Sequence, residues 1–137
     1  MALINWTEEY SVGVKELDKQ HQQLIAIINQ LFALYSEKRF KKVDAEPIFK
    51  SLFDYADYHF STEEYYFNLY GYAKSAQHFA LHEAYRQKIQ GLKKEYDAAD
   101  SAQTLFALNN FLNDWWVWHI NNADKEYTAY FNANGLK

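Results

Sequence analysis

The five histidines of this 137-residue chain all occupy positions where a helical pattern would otherwise place leucine or isoleucine. A single histidine on an apolar helix face is most often a satisfied core residue. Five are different, because each buried polar group without a partner costs roughly 1–3 kcal/mol. Their shared placement therefore predicts one common partner, a metal centre. The five are His21, His59, His78, His82 and His119.

Spacing along the predicted helices supports this interpretation. His78 and His82 are four residues apart, which places both imidazoles on one helix face. His59 and Glu63 share that spacing, so the carboxylate can bind the same ion as the imidazole and reach a second one. Each pair alone is a weak motif, because such pairs are common on helix surfaces. Together with one histidine from each remaining helix, the set becomes specific.

The spacing of His119 and Asp124 does not fit a regular helix. The two residues are five apart, which separates their side chains by about 140° at about 3.6 residues per turn. Either the helix ends or loosens here, or Asp124 is not a ligand. We favour local distortion, because Asn121 and Asn122 lie between them and asparagine favours helix termini over interiors.

Seven candidate protein ligands are too many for one metal ion and suit two. Imidazole and carboxylate ligands suit iron, zinc, manganese or copper, and ligand type alone does not choose among these metals. The chain has no cysteine, which excludes disulfides, thiol catalysis, thiolate zinc sites and cysteine-ligated iron–sulfur clusters.

Four helices must position these side chains. Apolar residues recur with helical periodicity over residues 17–35, 48–70, 78–96 and 105–119. The connections between these stretches are short, and short connections make neighbouring helices antiparallel. The sequence therefore predicts an all-α fold, an antiparallel up-down-up-down four-helix bundle with an N-terminal arm and a short C-terminal helix. In such a bundle the histidines fall toward the same end.

Helix boundaries are predicted from residues that begin or end helices. Asp18 can cap the first helix, and Gly71 ends the second. Ser75 lies near the start of the third helix. Asp100 or Ser101 is expected to cap the fourth.

Length and composition narrow the class of protein. We expect a single domain over residues 1–137, with an arm at 1–16, the bundle at about 17–121 and a tail at 122–137. The 14 basic and 18 acidic residues give a net charge of −4, without the basic excess of a nucleic-acid-binding module. The longest apolar stretch, residues 24–28, is too short for a membrane span. The N-terminus does not resemble a signal peptide, so we expect a cytoplasmic protein.

In combination, the motifs resemble those of the hemerythrin family, specifically its single-domain bacterial members. The resemblance extends over most of the chain. It is carried by Trp6, Val12-Gly13-Val14, Leu17-Asp18-Lys19-Gln20-His21, His59-Phe60, Glu63-Glu64, Gly71-Tyr72, His78-x3-His82 and Trp115-x3-His119-Ile120-x3-Asp124. That family binds O2 reversibly at a non-haem di-iron centre inside a four-helix bundle, so the resemblance implies this fold and this activity.

The resemblance also implies roles for the seven candidate ligands. Three histidines would hold one iron, two would hold the other and leave a position open for O2, and two carboxylates would bridge both irons together with an oxo or hydroxo group. In that order, the sets are His78, His82 and His119; His21 and His59; and Glu63 and Asp124.

An apolar pocket is expected around the O2 position. A carrier must bind O2 and prevent further chemistry, and a dry pocket slows the arrival of protons. Helical spacing from the ligands and the resemblance both indicate the same residues. They are Leu24, Phe60, Trp115, Trp116 and Ile120.

The sequence also supports predictions about four individual residues near the candidate ligands. The family usually has leucine at the position of Trp116 and often asparagine at that of Trp118. The Trp116 ring would narrow the pocket or block an access route, or its N–H would donate a hydrogen bond to bound O2. The resemblance implies that Tyr127 lies near the bridging carboxylates. Glu64 points about 100° away from Glu63 and is expected at the surface.

Three functions are compatible with these residues. Reversible O2 binding, for storage, transport or delivery, is favoured over an enzyme. Di-iron oxidases usually carry E-x-x-H pairs, and this chain has none. A di-iron oxidase, peroxidase or nitric oxide-handling protein is the second hypothesis, and a structural or sensory metal module is the third. The sequence does not identify an O2-consuming partner enzyme.

Overall fold

The computed structural model describes residues 4–36, 42–99 and 102–137. Within those ranges it contains helices and no β-strand, which confirms the predicted all-α fold. Five α-helices follow in chain order: α1 (Lys15–Ser36), α2 (Lys42–Tyr70), α3 (Ser75–Ala98), α4 (Ala102–Trp115) and the short α5 (Thr128–Ala133). A π-helical segment, Trp116–Asp124, continues α4, and Lys125–Tyr127 forms a 3-10 turn before α5.

Helices α1 to α4 form the predicted bundle. Helix α1 packs against α2 and α4, and α3 packs against the same two helices. Each helix turns one apolar face to the core, and on α1 the buried residues recur at short helical intervals. They are Leu17, Gln20, His21, Leu24, Ile25, Ile28 and Leu31. No helix within the described ranges is long and apolar enough to cross a membrane.

The turn between α2 and α3 forms where the sequence predicts it. Helix α2 ends at Tyr70, and Gly71 adopts a φ of 66°, a left-handed conformation that glycine tolerates because it lacks Cβ. The N–H of Tyr72 then donates to the carbonyl of Phe67 at 3.0 Å, which satisfies the helix end. Helix α3 begins at Ser75, as expected.

The prediction that Asp18 caps α1 is wrong. The helix begins three residues earlier, so Asp18 lies in its first turn. Its carboxylate instead accepts hydrogen bonds from the Ser11 hydroxyl at 2.5 Å and the Val12 N–H at 2.8 Å. Asp18 therefore ties the N-terminal arm to the bundle. The two candidate caps of α4, Asp100 and Ser101, lie outside the described residues.

The C-terminal segment packs against the same arm. The Thr128 hydroxyl donates to the carbonyl of Val12 at 2.5 Å, and the Lys125 ammonium donates to the carbonyl of Glu9. These bonds join residues more than one hundred positions apart in the chain. They hold the arm and α5 together at one end of the bundle.

Replacing Gly13 by alanine is expected to destabilise the fold by about 1–3 kcal/mol. Gly13 has a φ of 73°, and a Cβ there would lie 2.6 Å from Cγ2 of Thr128. Chemical denaturation would measure the loss. Gly91→Ala is the matched control, because Gly91 lies within α3 and an added Cβ would meet no described atom within 4 Å apart from its chain neighbours and the backbone of its own helix. Equal stability of the two variants would contradict the close approach.

Candidate metal centre

The predicted ligands meet inside the bundle. Each of its four helices contributes at least one, and the fourth does so through its π-helical continuation. Helix α1 contributes one histidine, α2 a histidine and a glutamate, α3 two histidines, and the π-helical segment a histidine and an aspartate. All seven side chains are buried. In that order they are His21, His59, Glu63, His78, His82, His119 and Asp124.

The π-helical segment explains how His119 and Asp124 reach the same site. In a π-helix each residue bonds to the one five positions away, so its turn is wider than that of an α-helix. Side chains five apart then point to the same side. Nε2 of His119 lies 2.9 Å from Oδ1 of Asp124, which confirms the expected local distortion.

The seven side chains form two groups that share a carboxylate. In each group the candidate ligand atoms all lie within 4.8 Å of one another. The first group is Glu63, His78, His82 and His119, and the second is His21, His59, Glu63 and Asp124. Asp124 also spans both groups, since Oδ1 lies 2.8 Å from Nε2 of His78 and Oδ2 lies 3.1 Å from Nε2 of His21.

Several of the converging atoms lack hydrogen-bond partners. Nε2 of His78, Nε2 of His119 and both carboxylate oxygens of Asp124 are buried and form no hydrogen bond with any described residue. These atoms approach one another closely but not in hydrogen-bonding geometry. Buried polar atoms are almost always satisfied, so such a concentration indicates an additional partner. A pair of metal ions fits this donor set.

Both carboxyl groups are held in their anionic form. Burial alone would favour the neutral acid of Glu63, but the contacts with His59 and the other imidazoles keep its pKa well below the ordinary value. Burial and the neighbouring Glu63 act in the same way on Asp124, and contacts with His119 and His21 again lower the pKa. Carboxylates, rather than carboxylic acids, are therefore available as ligands.

The imidazoles divide into two kinds. Burial lowers the pKa of His59 and of His119, which favours the neutral imidazole that binds metal ions. Burial also disfavours the charged forms of His78 and His82, but contacts with carboxylates outweigh it. They raise the pKa of His78 to about 10 and hold that of His82 above its ordinary value. Metal binding at these two residues displaces protons.

Gln20 orients one of the candidate ligands, a role that was not predicted from the sequence. Its Oε1 lies 2.5 Å from Nδ1 of His59, which directs Nε2 of that ring to the centre. The amide nitrogen of Gln20 donates to the Thr62 hydroxyl at 3.3 Å, which fixes the amide in turn. The signal was present, because Gln20 lies at the same helical spacing from Leu17 and Leu24 that singled out the histidines.

The expectation that Glu64 lies apart at the surface is wrong. Its Oε2 is 2.9 Å from Nδ1 of His82, and less than a third of the side chain is exposed. The turn of α2 that directs Glu64 away from Glu63 directs it to α3, which packs alongside, and not to solvent. Glu64 therefore accepts the N–H of His82 and orients its Nε2 toward the centre.

Glu64→Gln is expected to weaken metal binding about 10- to 100-fold, because a charged acceptor polarises the His82 ring more strongly than a neutral amide does. Competition with a chelator of known affinity would measure the change. Glu83→Gln removes the same charge from an exposed side chain on α3 and serves as the control. Equal affinities of the two variants would show that Glu64 has no role at the centre.

Tyr127 lies beside the shared carboxylate. Its hydroxyl donates to Oε2 of Glu63 at 2.5 Å, while Oε1 of Glu63 faces the imidazoles. Burial and the nearby negative charge of Glu63 raise the pKa of Tyr127 well above its ordinary value. The side chain therefore stays a neutral phenol and holds Glu63 in place.

The five predicted pocket residues are all buried. Phe60 stacks on His82 with 3.8 Å between ring centroids, and Trp115 stacks on His119 at 4.0 Å. Leu24 and Ile120 are fully buried in the same core. These side chains surround the ligands with apolar surface.

Trp116 and Trp118, the two tryptophans at positions where the family usually or often has other residues, differ in their environment. Trp116 is fully buried, with its ring centroid 6.0 Å from that of His21 and 5.0 Å from that of Tyr10. Trp6 contacts both rings, with its centroid 6.3 Å from that of Trp116 and 6.0 Å from that of Tyr10. Trp118 is more than half exposed.

Fold and site together define a class: four-helix bundle proteins whose core holds a metal-binding centre of histidines and carboxylates. The family model of the hemerythrin HHE cation binding domain matches residues 12–131. The chain therefore belongs to the hemerythrin family.

Comparison with individual proteins agrees with this assignment. A bacteriohemerythrin from Clostridium acetobutylicum is 31% identical over 128 residues, covering 89% of this chain and 96% of that protein. A hemerythrin-like protein from Naegleria gruberi is 32% identical over 123 residues, covering 90% and 89%. The crystal structure of a wild-type hemerythrin superposes with a TM-score of 0.80 at 29% identity, covering 93% of this chain and 97% of that one.

Proposed function

We infer that the chain binds O2 reversibly at a non-haem di-iron centre and serves in oxygen storage, transport or delivery. The observation that carries this proposal is the pair of ligand groups that share Glu63. Membership of the hemerythrin family favours iron over the other metals that these ligands suit. Two iron ions at this centre would supply the electrons that bound O2 takes up and returns.

The ligand groups are unequal, which supports binding of a small molecule on one side. Three imidazoles belong to the group of His78, His82 and His119, whereas His21 and His59 supply only two to the other. A metal site with fewer protein ligands keeps a position for an external ligand. We assign the O2 position to the side of His21 and His59, next to Trp116.

The surroundings favour binding over turnover. Phe60, Trp115 and Trp116 are buried against His82, His119 and His21, and on those sides they exclude water, which slows the proton transfers that further reduction of O2 requires. Two ionisable groups beside the centre are already engaged, since Tyr127 donates to Glu63 and His82 donates to Glu64. The hydroxyl of Tyr55, which stacks on His59, has no hydrogen-bond partner among the described residues, but burial raises its pKa well above the ordinary value and makes it a poor proton donor.

A di-iron oxidase or peroxidase and an O2 or redox sensor remain the competing functions. Both would use the same ligands, so they differ from the proposal in the fate of O2 once it is bound. We further propose that the chain forms one functional domain. In this proposal it stores or carries dioxygen in the cytoplasm.

A visible absorption spectrum tests the proposal directly. The iron-loaded protein would be reduced under nitrogen, exposed to air and returned to nitrogen. A band that appears in air and fades under nitrogen is the expected result. Irreversible oxidation to the ferric pair would contradict a carrier and favour the enzyme or the sensor.

A further inference from the structure

A surface cavity of about 290 Å³ reaches the metal centre at His78. It lies between the start of α3 and the π-helical segment, with His78 and Ala123 as its buried lining and Trp118 as an exposed side wall. A water molecule occupies about 30 Å³ of liquid, so the cavity has room for a cation with part of its hydration shell.

His78 differs from the other candidate ligands in its exposure. Its relative accessibility is 3%, whereas that of each of the other six is 0%. The imidazole therefore belongs both to the centre and to the lining of the cavity. A metal ion that arrives through this cavity meets His78 before any other ligand.

An ion pair lies at the mouth of the cavity. The Lys74 ammonium and the Glu126 carboxylate are 3.1 Å apart, and both side chains are about half exposed. Exposed ion pairs contribute little stability, so the pair separates readily. When it is open, Glu126 attracts a cation and Lys74 repels it.

We propose that this cavity, lined by His78 and closed by the Lys74–Glu126 pair, is the passage through which metal ions reach and leave the centre. The inference rests on the metal centre of the proposed function and adds the route by which it is loaded. On this path the free energy of the metal ion is highest when it passes the mouth, both on entry and on exit. A charge there consequently changes the rates of uptake and release by the same factor and leaves the affinity unchanged.

Iron release from the intact protein tests the passage. The reduced, iron-loaded protein under nitrogen would be mixed with bipyridine, a neutral chelator, at concentrations where the rate no longer depends on it. Glu126→Gln is expected to slow release about fivefold, and Lys74→Gln to accelerate it by about the same factor. High salt should reduce both effects, because both side chains are exposed. Trp118→Ala, which widens the mouth, should accelerate release.

Matched controls separate the passage from general effects of charge and packing. Asp54→Asn and Lys50→Gln alter a similar exposed pair on α2, with its charged atoms 2.7 Å apart. Tyr65→Ala removes an exposed aromatic side chain away from the cavity. None of these should change the release rate.

The passage is overturned if Glu126→Gln and Lys74→Gln release iron at the rate of the controls, or shift it in the same direction. It is also overturned if they change equilibrium affinity together with rate, since that result indicates a structural role. Two irons per chain with a reversible O2 band and unaltered release would overturn the passage alone. A chain that holds no iron would overturn both the passage and the proposed function.

Discussion

His119→Ala is expected to abolish stable loading of two iron ions, with an affinity loss of at least about 100-fold. His119 supplies one of the three imidazoles of its ligand group, and its Nε2 lies 2.9 Å from Oδ1 of Asp124. Removing the ring takes one ligand from this group and one close contact from the buried Asp124 carboxylate, which is costly in an apolar core. Iron content after gel filtration would measure the loss, and His78→Ala should give the same result.

The control for this experiment is Asn122→Ala. Asn122 lies on the same π-helical segment, but its side chain is exposed and, among the described residues, donates a hydrogen bond to the carbonyl of Trp118. This variant should retain two irons per chain, so a general disturbance of the segment would not explain the loss. Far-ultraviolet circular dichroism would establish that both variants are helical. Two irons in His119→Ala would refute the ligand assignment.

Trp116→Leu is expected to accelerate O2 dissociation about fivefold or more and to accelerate autoxidation. The Trp116 ring is fully buried beside His21, and its Nε1 has no hydrogen-bond partner among the described residues. Leucine removes both the bulk that restricts access and the N–H that could donate to bound O2. Stopped-flow spectroscopy would measure dissociation, and the slow loss of the O2 band in air would measure autoxidation.

Trp116→Phe separates the two effects of the ring. Phenylalanine retains much of the bulk against Tyr10 and Trp6 but has no N–H. Fast dissociation in both variants would assign the effect to a hydrogen bond, and fast dissociation in the leucine variant alone would assign it to restricted access. Unchanged kinetics in both would show that Trp116 does not face bound O2.

The ligand positions could be predicted because their signal is periodic. Each histidine replaces an apolar residue on a helix face, and the pattern extends over several turns of each helix. The same reasoning identified the irregular spacing of His119 and Asp124, although not the particular solution. A π-helix accommodates a spacing of five without ending the helix, and the structure adopts it.

The errors concern residues whose partners lie on another element. The angle of Glu64 on α2 predicts a surface position, but α3 covers that side of the helix. Asp18 was expected to cap α1, but its carboxylate binds the arm that folds back over the helix. In both cases the type of residue indicated a hydrogen bond, and the direction of that bond depended on how two segments pack.

Burial along each helix is a local property, since the repeat of apolar residues defines which face turns inward. The four helices of the bundle, their order and the inward direction of the five histidines therefore followed from the sequence. The sharing of Glu63, the support of His82 by Glu64 and the cavity at His78 depend on the rotation and separation of whole helices. Those quantities are set by the packing of many side chains at once, and only the folded bundle determines them.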